Sequence, residues 1–387
     1  MPVKNRLADL HDEIAGWRHH LHRHPELLYE VHGTAAFVTE RLREIGVDEI
    51  TTGVGRTGVV AVVRGRSDRS GRVIGLRADM DALPIHEATG LAHASTNAGV
   101  MHACGHDGHT AMLLGAAKYL AETRNFDGTA VLIFQPAEEG GAGGKAMCDD
   151  GLMERWGIDE VYGLHNAPGL PAGSFHIRPG PMMAATDEFE IVLEGRGGHA
   201  ARPHQTVDTA VMACHLGVAL QTVTSRNADP VEQLVLSVTS IESSTTAFNV
   251  IPQRVTLRGT VRSMVEPQRA MARRRLREIT EGIAASLGGT AAIDFPEGYP
   301  VLINAPEPTA HAAAVARDVA GDCALSPMVM GGEDFSYMLQ ERPGAYMRIG
   351  NGDTAALHNP AYDFDDEIIP AGCSWLVGMI EARMPAG

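Results

Sequence analysis

Nine residues, Met101-His-Ala-Cys-Gly-His-Asp-Gly-His109, hold His102, Cys104, His106, Asp107 and His109. Thiolate, imidazole and carboxylate together suit zinc or a similar divalent transition metal. Ala103, Gly105 and Gly108 are small, so the backbone can bend tightly around an ion. The apolar run Ala111–Ala117 follows at once and reads as the start of a buried helix. Glu138 and Glu139 come directly after an apolar strand, Ala130–Phe134, and the turn residues Gln135-Pro136-Ala137. Neighbours in an irregular segment point in different directions. One carboxylate can ligate an ion while the other takes a proton from a water that the ion has acidified to a pKa of about 7. His165 and His358 each follow a Leu and precede an Asn. With Cys104, His106 and the glutamate pair they complete a set large enough for two ions.

The elements around these residues alternate. Residues 5–24 carry Leu7, Leu10, Ile14, Trp17 and Leu21 at helical spacing, and Pro25 ends that helix. Consecutive side chains point around a helix, so His11, His19, His20, His22 and His24 read as a solvated face. Residues 34–46 form a second amphipathic helix, followed by strands at Gly58–Arg64 and Arg72–Arg77. Asp79 and Asp81 sit where the latter strand ends, on one side of it. Val161–Leu164 is a strand ending at His165. Strands alternating with helices imply a mostly parallel sheet with helices on both faces, which places ligands at the carboxyl ends of its strands.

From about Asp187 the order becomes strand 187–194, helix 206–224, strands 232–241 and 253–261, helix 266–287 and strand 290–295. This β-α-β-β-α-β order is that of a ferredoxin-like α+β unit. Helix and strand then resume to the C-terminus. The expected organisation is a discontinuous α/β domain, 1–184 and 295–387, with an inserted domain, 185–294. In the insert, Gly195–His204 is a glycine-rich strand exit, and His199 there is either a site residue or a loop histidine with no role. Gly331–Ser336 reads as a loop whose backbone approaches a ligand.

Bulk properties narrow the function. A formal net charge of −16 argues against nucleic acid or an anionic membrane as partner. Five widely spaced cysteines without a C-x-x-C fit a reducing compartment. The first residues carry no signal-like apolar core, and no run approaches the ~18 apolar residues of a membrane span; a cytoplasmic enzyme is expected. Gly53-Val-Gly-Arg-Thr-Gly58 matches G-x-G-x-x-G but runs into a strand rather than a helix, so it is not a dinucleotide fingerprint. Gly144-Lys145 lacks the other residues of a P-loop, and no G-x-S-x-G elbow occurs.

Seven segments, in order, resemble the M20 metallopeptidase family, and its amidohydrolase branch of hippurate and N-acyl-amino-acid hydrolases in particular. They are Arg77–Pro84, His102–His109, Gln135–Glu139, Gly197–Ala200, Phe248–Pro252, Gly331–Phe335 and Leu357–Pro360. The resemblance implies two divalent ions per subunit (Mn, Zn or Ni) on Cys104, His106, Glu139, His165 and His358, with Cys104 bridging. It implies Glu138 as general base, Asp81 as a carboxylate orienting a ligand such as His106, and His199 as the group that polarises the scissile carbonyl. Asn249 and Arg262 would receive the substrate carboxylate and Gly332 would line the substrate. The insert would be a lid and dimerisation domain in a homodimer or homotetramer. Peptidase branches have His where Asp79 stands and Asp where Cys104 stands, which points away from peptides. The lid motif's usual Asp-Pro is Asp208-Thr209 here. The expected activity is metal-dependent cleavage of N-acyl or N-aroyl amino acids, a small-molecule substrate, by metal-activated water. The alternatives are a dipeptidase or carboxypeptidase of the same family, or a non-catalytic dimeric metal-binding module.

Overall fold

A computed structural model describes residues 4–387. The chain divides into two compact units. The larger holds the chain up to Gly180, then Ile303–Pro327 and Asp334–Gly387; the smaller holds Pro181–Leu302 and Met328–Glu333.

The larger unit is built on an eight-stranded sheet. Its order is Glu49–Val54, Gly58–Arg64, Thr129–Gln135, Val73–Asp79, Glu160–Ala167, Gly344–Gly350, Phe175–Ile177 and Ala324–Leu325. The four central strands, from Thr129–Gln135 to Gly344–Gly350, are parallel. They are buried nearly end to end, as a sheet covered on both faces requires. One face packs its Leu76, Ala78, Leu132, Tyr162, Leu164, Met347 and Ile349 against helices His106–Thr123 and Ile369–Arg383. The opposite face carries Arg77, Gln135, His165 and Arg348. Helices Gly143–Asp149 and Phe335–Glu341 lie against its central strands.

The helix after the histidine-rich motif begins earlier than its apolar run. It spans His106–Thr123, with Gly105 as its N-cap in the left-handed region, φ 90°. A Cβ on Gly105 would lie 2.5 Å from Asn166 Oδ1, so only glycine fits that turn. The N-terminal helix also differs: it is two pieces, Asn5–Asp9 and His11–Arg23. His22 is fully buried, which corrects the solvated-face reading for that residue. Arg18, one turn earlier, is buried with it.

The smaller unit has an antiparallel sheet in the order Leu234–Ser243, Arg254–Ser263, Ala185–Glu194, Thr290–Asp294. Its helices Thr209–Thr222 and Glu266–Ser286 close a separate core around Leu193, Leu216, Leu257 and Leu276. The chain order is β-α-β-β-α-β. Asp208 caps the first of these helices, accepting from the amides of Ala210 (2.9 Å) and Val211 (3.1 Å). The unit extends past the 185–294 expected for it because its backbone is tied further out. Ala184 N donates to Gly331 O (3.0 Å), and Thr186 N to Tyr299 O (3.0 Å). Among the described residues no helix is long and apolar enough to cross a membrane, and all five cysteines are free.

Candidate metal centre

Three parallel strands deliver the site. Val73–Asp79 leads to Asp81, Thr129–Gln135 leads to Glu138 and Glu139, and Glu160–Ala167 carries His165 near its end. The His106 helix starts beside them. Among the groups whose donor atoms lie within 4.8 Å of one another, two are Cys104, His106 and His165, and Cys104, Glu139 and His358. They share only Cys104. A third group joins Glu138 to His106 and Glu139.

The imidazoles are aimed. His106 Nδ1 lies 2.8 Å from Asp81 O, and His165 Nδ1 lies 2.7 Å from Asn166 O. A carbonyl oxygen only accepts, so both hydrogens sit on Nδ1, and Nε2 is turned to the site. His165 Nε2 is 3.4 Å from Cys104 Sγ. His106 Nε2 and Glu139 Oε1 are buried without a hydrogen-bond partner. Glu139 Oε1 lies 3.3 Å from His358 Nε2 outside hydrogen-bonding geometry. Buried polar atoms converging without hydrogen-bond partners are costly, and a cation bound there in exchange for protons would satisfy them. The donor set, one sulfur with imidazole and carboxylate, fits a borderline transition metal.

Ala137, just before the glutamate pair, and His358 both lie in the left-handed region, φ 54° and 64°. Neither is glycine, so the surrounding structure holds strained backbone at two points of the site.

Asp81 meets His106 through both its main chain and its carboxylate. Its carboxylate is 3.5 Å from His106 Nδ1, and its main-chain carbonyl is the partner of that imidazole. The carboxylate also accepts from the amides of Glu138 (2.9 Å) and Glu139 (3.0 Å). Asp81 therefore fixes the His106 imidazole through its backbone and the amides of Glu138 and Glu139 through its side chain. Asp79 does not share that direction. It takes Arg77 Nη1 (2.6 Å) and His109 Nδ1 (2.6 Å), and lies 3.7 Å from His106 Nε2.

The nine-residue motif is thus divided. Cys104 and His106 face the centre, and His109 bridges Asp79 to Asn166. Asp107 points away, accepting from Arg18 Nε (2.8 Å) and His22 Nδ1 (2.8 Å). His102 is buried near this pair with neither ring nitrogen partnered.

Electrostatics follow the packing. Burial pushes the Cys104 thiol well up, and Glu139 and Glu138 add to it. Burial lowers His106, but Asp79 and Asp81 outweigh it and raise the imidazole to about 10. His165, half-buried beside His109, is held well below the usual range, by desolvation first and then by His109. Burial raises Glu139, yet His358 and His106 hold it lowered. A cation among Cys104, Glu138, Glu139 and Asp79 would reverse the first two of these shifts.

The lid residues of the expectation belong to the smaller unit. His199 is exposed on a two-residue strand paired with Val250–Ile251, and Asn249 O accepts from Ala200 N (3.0 Å). His199 and Asn249 therefore share one loop cluster beyond Glu194. Arg262 pairs across the sheet with Thr186, at the other end of strand Ala185–Glu194. A Cβ on Gly332 would collide with Thr186 Cγ2 at 2.3 Å, so Gly332 belongs to that end too. The eight steps from Thr186 to Glu194 separate the two clusters by about 27 Å at 3.4 Å per residue.

Sequence reasoning missed the Asp107–Arg18–His22 cluster, and it missed Arg348. A lone arginine inside the apolar strand 345–349 was the available signal for Arg348.

Residues 75–382 match the family described as Peptidase family M20/M25/M40. The chain belongs to this family. It is 41% identical over 368 residues to the N-acetyl-L-cysteine deacetylase of Bacillus subtilis, covering 94% of this chain and 86% of that one. It is 40% identical over 373 residues to the hippurate hydrolase of Campylobacter jejuni, covering 95% and 96%. Among solved structures, a Bacillus subtilis protein described as a dinuclear metal binding peptidase from the M20 family superposes with a TM-score of 0.85. It is 32% identical, over 98% of this chain and 100% of that one. This member of the M20 family is accordingly a hydrolase with candidate ligands for metal.

Proposed function

We propose that this chain, an amide-bond hydrolase of the M20 family, cleaves N-acyl or N-aroyl amino acids to a carboxylic acid and a free amino acid. The observation that carries the reading is the pair of ligand groups sharing Cys104, with the buried Glu138 beside them. Cys104, His106 and His165 would hold one divalent ion, and Cys104, Glu139 and His358 a second. When bound, such ions acidify water and polarise the amide carbonyl. Glu138 takes a proton from the attacking water and returns it to the leaving amine nitrogen, so the amide is replaced by acid and amine without net proton change. Asp81 keeps Glu138 and Glu139 on their separate tasks by holding their adjacent amides.

Asn249 and Arg262 are proposed to serve the substrate's carboxylate end, His199 its scissile carbonyl, and Gly332 the substrate's passage along the backbone. One chain cannot apply both of its clusters to one small molecule across about 27 Å of strand. The reading therefore includes a second copy, which brings His199 and Asn249 to the first copy's site. The outer edge of strand Leu234–Ser243, which ends its sheet, and the exposed Val218, Ile241 and Phe248 support a surface that pairs with another chain.

The test is hydrolysis of hippurate and N-acetyl amino acids against simple dipeptides by metal-loaded protein, before and after chelation. Release of amino acid from the acylated substrates, lost on chelation and restored by Mn, Zn or Ni, is expected. Turnover of dipeptides alone, or turnover unaffected by complete metal removal, would overturn the reading.

A further inference from the structure

Arg348 stands next to the metal centre with nothing of its own to bind. Strand Gly344–Gly350 turns Ala345, Met347 and Ile349 into the core, so Tyr346 and Arg348 face the side that carries His165. The register puts Arg348 directly opposite His165 on one neighbouring strand and His176 on the other. Adjacent strands lie about 4.8 Å apart, and directly paired residues of a parallel ladder share a face.

Among the described residues, no carboxylate comes within ion-pair range of the Arg348 guanidinium and no acceptor takes its N–H groups. Its charge is felt at His176, whose imidazole is lowered by burial and then by Arg348. Burial lowers Arg348 itself, opposed only by Tyr346. The other arginines of this sheet face are paired, Arg77 with Asp79, Gln135 and Asp334. A half-buried guanidinium without an anion is a cost to the folded chain that a ligand carboxylate would offset. Arginine matches a carboxylate with two parallel N–H donors.

We propose that Arg348 receives a second carboxylate of the substrate, distinct from the α-carboxylate, and so selects doubly anionic N-acyl amino acids. This rests on the amidohydrolase reading above. The second carboxylate has two chemical sources: an acidic amino-acid side chain, or a dicarboxylic acyl group.

Two isosteric pairs separate them: N-acetyl-L-glutamate against N-acetyl-L-glutamine, and N-succinyl-L-alanine against N-succinamoyl-L-alanine. With full-length, metal-loaded protein, the acidic member of one pair should exceed its neutral partner in kcat/KM by about tenfold or more, the scale of a hydrogen bond to a charged group. The pair that shows it names the source. In Arg348→Met the preference should vanish, and in Arg348→Lys it should survive in part, with the change in KM. Equal rates within both pairs in the wild type would overturn the inference even if neither variant folds. So would a preference that persists in Arg348→Met, or an equal loss on acidic and neutral substrates, which would assign Arg348 to the α-carboxylate or to the fold. Hydrolysis of none of the four would instead overturn the amidohydrolase reading, and this inference with it.

Discussion

Replacing Asp81 by asparagine tests how the glutamate pair is held. In the wild type one carboxylate oxygen accepts from Glu138 N and the other from Glu139 N. Asparagine keeps one acceptor and turns an NH₂ group toward the second amide, so donor faces donor. Loss of one charge-assisted hydrogen bond costs about 1.5–3 kcal/mol. If that energy holds Glu138 in its working position, kcat/KM should fall by about 10- to 150-fold at saturating metal. His106 stays oriented, because its partner is the main-chain carbonyl of residue 81. The assay is the rate of amino-acid release from the best N-acyl substrate, with metal content measured on the same samples. Glu138→Gln alone should lose about 10²–10⁴ in rate while keeping its metal. The decisive arm is the double variant: if Asp81 acts through Glu138, Asp81→Asn adds little once Glu138 is gone. Fully additive losses, or an unchanged rate in Asp81→Asn, would refute the argument.

Loading metal at pH 7 should release protons, because Cys104 is raised well above its ordinary value and His106 to about 10, so both are protonated without an ion. Calorimetry in buffers of different ionisation enthalpy measures the number, which should drop in Cys104→Ser; a heat independent of buffer would exclude it. His22 is raised from 6.5 to about 9; burial opposes the shift and Asp107 and Glu87 drive it. A raised folded-state value means its contribution, at most about 3 kcal/mol, is complete below pH 6.5 and is lost as pH rises through 9. The Tm gap between wild type and His22→Gln should therefore narrow from pH 6.5 to 9.5, and a gap that widens would contradict the assignment. Finally, Glu138→Ala and His199→Ala, each inactive, should recover about a quarter of wild-type activity when dissociated and reassociated together. No recovery in verified mixed dimers would assign His199 to its own subunit.

Much of this protein was legible without its structure, because local patterns carry the information. The burial period of two in strand 185–194 and the helical period in 266–286 mark the elements of the smaller unit. The apolar strands before Glu138 and His165 put those side chains at the carboxyl edge of a parallel sheet, where ligands sit in such folds. The chemistry of the centre was likewise readable, since thiol, imidazole and carboxylate donors are residue types rather than positions. Tertiary structure alone decided where each of them points. By residue type and spacing alone His102, Cys104, His106, Asp107 and His109 are equivalent candidates, and only the family resemblance singled out Cys104 and His106. A helix that starts at His106 rather than Ala111 sends Asp107 to Arg18, a residue 89 positions away, and Cys104 to His165, 61 away. Whether Asp81 uses its carbonyl or its carboxylate, whether His22 is wet or buried, and whether Arg348 has a counter-ion all depend on contacts of this long range. No local periodicity encodes them, because they are set by which strands become neighbours in the sheet and in what register.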